Sequence, residues 1–166
     1  MERANNALRG LTMAMTSGLL TATGAETVHD TTVTITFAIN GKLYTKTAIT
    51  DGVTPTTDYN TAAAFLPLSA DKACCFVWSL NGSGAMKVMQ GSIVDVDGDT
   101  DRPKLQRPPF PDIPDDVCPI AYQIVQTAGN SSAWTFGSSN WNATGVTDAI
   151  VNVATLPRRP AGDVTS

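Results

Sequence analysis

A chain of 166 residues with 42% hydrophobic content is long enough to bury a core of its own as one domain, without disulfide or metal staples. Only 16% of the residues are charged and the net charge is −4, so no basic field exists to hold phosphates and nucleic-acid binding is not expected. Thr, Ser, Asn, Gly and Ala fill the places that Lys and Glu usually take, a composition suited to sheet surfaces and pointing to an all-β core.

The chain opens with Arg3 and Arg9 before LTMAMTSGLLTATGAE, which imitates a signal peptide with a small-residue cleavage site at Ala25. Thr12, Thr16, Ser17 and Gly18 interrupt its apolar run, so a soluble protein that is not secreted is expected. No other apolar stretch approaches the roughly 20 residues of a membrane span. As a helix, this region places Ala4, Leu8, Leu11 and Met15 on one stripe, which predicts an N-terminal helical arm over 1–24. The stripe either covers the domain's own sheet or packs against a symmetry mate or a neighbouring protein.

After Gly24 the period changes to two. Val33, Ile35, Phe37 and Ile39 alternate with Thr and Ala, then Asn40-Gly41 supplies the positive-φ pair of a type I′ turn. Residues 42–49 return as the partner strand, with Leu43, Thr45 and Thr47 on one face. DGVTPTTD over 51–58 reads as a loop, and 62–68 as a helical turn or an extended connector. Residues 73–80, ACCFVWSL, are apolar on both faces, as an inner strand of a sandwich would be. NGSG over 81–84 turns the chain back into 85–90.

The run from Asp95 to Asp101 invites a calcium reading. Counted from Asp95, however, an EF-hand's Gly and Glu positions hold Thr100 and Gln106, so a solvated turn is expected. Asp71, Asp112, Asp115 and Asp116 suit caps and turns. Pro103, Pro108, Pro109, Pro111, Pro114 and Pro119 describe a stiff crossing, with Phe110 and Ile113 anchoring it to the core. Residues 120–126 form another strand and 147–156 the last. Between them AWTFGSSNWNATG carries Trp134 and Trp141, which either close a small β core or present faces to a sugar ring. The N-x-[ST] triplets at Asn81, Asn130 and Asn142 are chance matches without secretion.

Chemistry-bearing residues are sparse. His29 is the one histidine, and no nucleophile setting, phosphate loop or metal-spaced His/Cys set accompanies it, so no enzyme, cofactor or metal is expected. Paired carboxylates brought together by the fold are the one hydrolytic route that spacing leaves open. Cys74 and Cys75 are adjacent and face opposite sides of a strand; with Cys118 they read as small hydrophobes folded in a reducing cytoplasm.

From about residue 33 to 160, the order of FAINGKLYTK, CCFVWSLNGSGAMKVMQG, PFPDIPDDVCPIAYQIV and VNVATLPRRP resembles small structural proteins of tailed-bacteriophage virions. Within that group it is most similar to capsid cement or decoration proteins, which are often trimers. The resemblance implies a subunit made in the host cytoplasm and placed on the virion surface, bound to the major capsid protein as a homo-oligomer. The implied architecture is an antiparallel β-sandwich or partly closed barrel: the arm at 1–24, a β-rich domain at 25–160 and a tail at 161–166. Candidate assembly contacts are Leu8, Leu11, Met15, Phe110 and Ile113. The alternatives are a tail, baseplate or fibre-tip component that recognises a host glycan through Trp134 and Trp141, and a free carbohydrate-binding module.

Overall fold

The computed structural model describes residues 11–25, 27–96, 108–129 and 131–160. Among these there is no helix; eleven strands form three antiparallel sheets, none closed into a barrel. The largest sheet is built on β7 (Lys72–Asn81) and β10 (Val117–Thr127), which run antiparallel down the middle of the molecule. β11 (Val146–Asn152) flanks β10, while β8 (Met86–Gln90) and the short β9 (Val94–Asp95) flank β7. The eight residues of ACCFVWSL are all buried, as apolarity on both faces requires.

The remaining strands are β1 (Met13–Ala14), β2 (Leu20–Thr21), β3 (Val28–Thr31), β4 (Ile35–Ile39), β5 (Lys42–Lys46) and β6 (Ile49–Val53). They make two small sheets, β1-β4-β5 and β2-β3-β6. Their registers show that both belong to one long hairpin, broken once on each arm at 32–34 and 47–48. Ile39 pairs with Lys42 at the tip, Ile35 with Lys46, Thr31 with Ile49 and Val28 with Val53. Asn40 (φ 50) and Gly41 (φ 78) supply the expected two-residue turn. The strand expected over 42–49 therefore stops at Lys46, and the loop expected from residue 51 begins as β6. Gly52 fits in β6 because a Cβ there would collide with Ile49 Cγ2 and lie 2.9 Å from the His29 ring.

The arm is corrected. Residues 11–24 hold two short strands separated by a bend, with Leu19 at φ 47, and residues 1–10 lie outside the described region. β1 pairs with β4 (Met13 opposite Ala38) and β2 with β3 (Leu20 opposite Thr31), so this stretch is a third strand of the broken hairpin. Its threonines explain the outcome. Thr16 Oγ1 accepts from Thr36 N–H (2.8 Å) and donates to the Thr34 carbonyl, and Thr12 Oγ1 accepts from Asn40 N–H (3.1 Å). Helix would forfeit these bonds, and β-branched residues resist it anyway.

One face of the large sheet, carrying Phe76, Trp78, Leu80, Val88 and Val125, shares a core with Leu20, Ile35, Phe37 and Ile39 of the broken hairpin and with Trp134, Phe136 and Trp141. Cys75, Val77, Met89, Tyr122 and Ile124 occupy the other face, which Tyr59, Phe110, Ile113, Val153 and Leu156 cover. The described part of the proline crossing, 108–116, has no strand and anchors as expected, with the Phe110 ring edge-on to Tyr122 at 5.1 Å. Pro119 sits inside β10, where its missing N–H coincides with a register shift between Pro119 and Ala121. Residues 62–68 are a connector, closed by a bridge between Leu68 and Trp134.

Candidate functional site

The residues with chemical potential lie apart from one another, His29 and the thiols buried and Asp148 half-buried. His29 is 2% exposed on β3, its ring 5.2 Å from the Trp78 ring and its Nδ1 3.4 Å from Thr54 Oγ1. Its Nε2 has no hydrogen-bond partner. Burial holds the imidazole below its ordinary pKa, against the opposing pull of Asp30. Asp148 accepts from Gln123 Nε2 (2.7 Å), and Gln123 Oε1 accepts from Trp78 Nε1 (3.1 Å). Burial raises the Asp148 carboxyl pKa, and the Gln123 bond lowers it in part. The three thiols are buried; burial pushes Cys74 and Cys118 up to about 12 and Cys75 higher still, so none is a nucleophile at neutral pH.

Among the described residues no group of three His, Cys, Asp or Glu side chains is placed to hold a metal. Of the acidic run only Asp95 and Val96 are described, and Asp95 pairs with Lys72. Asp58 ties its own loop, accepting from Thr61 Oγ1 (2.9 Å) and Gln90 N–H (3.2 Å).

Trp134 and Trp141 are 1% and 3% exposed. Their Nε1 atoms donate to the Asn140 and Val28 carbonyls, and their rings pack against each other at 5.8 Å, so neither offers a face to a sugar in this arrangement. Beside Trp134 lies an open hollow lined by Ser132, Ser138, Ser139, Asn140 and Thr144.

The candidate contact residues fall on different sides. Leu8 is outside the described region. Leu11 is half-buried, its carbonyl taking a bond from Gly41 N–H (2.8 Å), and Met15 is 49% exposed. Phe110 and Ile113 are half-buried beyond the large sheet, so these four do not form one surface. The structure adds Leu43, 60% exposed and in cross-strand register with Ala38 and Met13. This row, in which Ala38 is itself covered, lies on the face of β1-β4-β5 opposite buried Ala14 and Phe37 and half-buried Tyr44. Residues 11–25 carry no charge and residues 31–50 carry only Lys42 and Lys46, so this layer is free of carboxylates within an acidic chain. The alternation in KLYTK put Leu43 on one face with Thr45, without saying which face is the outer one. What sequence lacked was the knowledge that no strand covers it.

No protein-family profile, curated protein or solved structure matches this chain.

Proposed function

We propose that the chain is a structural protein of a tailed-bacteriophage virion, a capsid cement subunit that works as a sandwich-like β module bridging major capsid proteins as a homo-oligomer, a trimer in the leading form. The observation that carries this reading is the outer face of β1-β4-β5, where exposed Met15 and Leu43 flank a carboxylate-free layer, while His29 and the three thiols are buried. A surface of that kind suits docking, and many copies on one lattice multiply a modest affinity. The test is imaging of particles assembled with the protein: regular density on the icosahedral shell supports the reading, and density confined to the tail overturns it.

The second reading is a tail or baseplate component that binds a host glycan. The hydroxyl- and amide-lined hollow of Ser132, Ser138, Asn140 and Thr144 favours it, in place of the buried tryptophans. A glycan array probed with the protein and with Asn140→Ala tests it: loss of a sugar signal in the variant supports the hollow, and no signal from either protein counts against it.

A further inference from the structure

β5 is a regular strand whose outer edge no described strand pairs. The two-residue turn makes Ile39 and Lys42 a bonded pair, so Lys42, Tyr44 and Lys46 direct their backbone groups to β4. Leu43 and Thr45 turn theirs to the open edge. The neighbouring β6 is irregular, with Asp51 at φ 49 and its N–H bonded to Asp30 Oδ1, so within this arm of the broken hairpin the regular open edge is confined to β5.

Side chains make this edge selective. Lys42 and Lys46 share the inner face with Tyr44, where Lys42 Nζ lies 5.1 Å from the Tyr44 ring centre. Tyr44 and Lys46 are touched by the turn that carries Gly82 and Gly84. Among the described residues neither lysine is paired with a carboxylate. A second copy of β5 added antiparallel about Tyr44 would set Lys42 of one copy opposite Lys46 of the other, and a parallel copy would set like on like. Both arrangements repel.

We propose that the β5 edge is a strand-addition site for an extended acidic segment of a partner, with carboxylates opposite Lys42 and Lys46 and apolar or β-branched residues opposite Leu43 and Thr45. The added strand continues the row Met13, Ala38, Leu43 on the outer face, and its carboxylates pair with the two lysines on the inner face. The site is a property of the fold and does not depend on whether the partner is a capsid protein.

The probe is the capped peptide Thr-Glu-Val-Thr-Val-Glu-Thr, titrated into the full chain at millimolar concentration while amide exchange is followed by NMR; the control replaces both Glu with Lys. The expected result is slower exchange at Leu43 and Thr45, with the Glu peptide binding about tenfold more tightly than the Lys peptide. The double variant Lys42→Glu, Lys46→Glu reverses that order. Thr45→Pro removes an outward N–H that β4 does not use, and is expected to keep the fold and lose the peptide. Equal affinity for both peptides, or no slowing at either amide, overturns the proposal. So does concentration-dependent protection without peptide, which would assign the edge to a second copy.

Discussion

His29 shows how a single residue couples pH to this fold. The unfolded imidazole titrates near 6.5 and the buried one lower, so the unfolded state takes up the proton first. Stability is therefore present above the unfolded value and lost as pH falls from about 6.5 through the folded value, at no more than about 1.4 kcal/mol per pH unit. Urea midpoints between pH 7.5 and pH 5 are expected to fall for the wild type, with His29→Gln flattening that slope. Asp148 acts in the opposite sense. Its raised folded pKa favours the protonated state, so its contribution is present below the ordinary carboxylate value and lost as pH rises through the folded one. Asp148→Asn keeps an acceptor for Gln123 and removes the half-buried charge. It is expected to raise the melting temperature at pH 7 and to change little near pH 3.

At the scale of elements, close backbone approach decides where pieces sit. A Cβ on Gly91 would lie 2.5 Å from the Pro109 carbonyl and 3.0 Å from that of Cys75, so Gly91→Ala should push the proline segment off β7. The expected cost is about 1–3 kcal/mol, with faster amide exchange in β7 and β8 as the check. Thr16→Val should lose about 1 kcal/mol and expose the Thr36 amide. The hairpin at Asn40-Gly41 and the inner strand at 73–80 were legible from sequence because turn chemistry and two-sided apolarity are local signals. The first strand was not. Leu8, Leu11 and Met15 fit a helical stripe, and only the partners of Thr12 and Thr16, more than 15 residues away, make it extended. β6 was missed because Gly52 and Asp51 signal a loop until Ile49 and the His29 ring are in place beside Gly52. Trp134 and Trp141 were left between core and surface, since no local pattern says what lies over an aromatic ring.

For the whole molecule, the built-in strand at 11–21 changes how an arm must be tested. A deletion of the first 21 residues removes β1 and β2 with their ties to β3 and β4, so it is expected to lower the melting temperature sharply. A deletion ending at Gly10 spares those strands. It is expected to weaken particle binding with a smaller change in melting temperature; unchanged binding would remove these ten residues from the assembly contact. The same first strand also meets residues 152–154. Ala14 N–H donates to the Ala154 carbonyl (2.8 Å), and the Asn152 side chain takes the Leu20 N–H (2.8 Å). A nascent chain can form the hairpin early, but the ties that lock its outer strand to the large sheet wait until residues 152–154 have left the ribosome. These ties close a loop of more than 130 residues, so they carry the largest chain-entropy cost in the sheet and couple the first strand to residues that the chain makes much later.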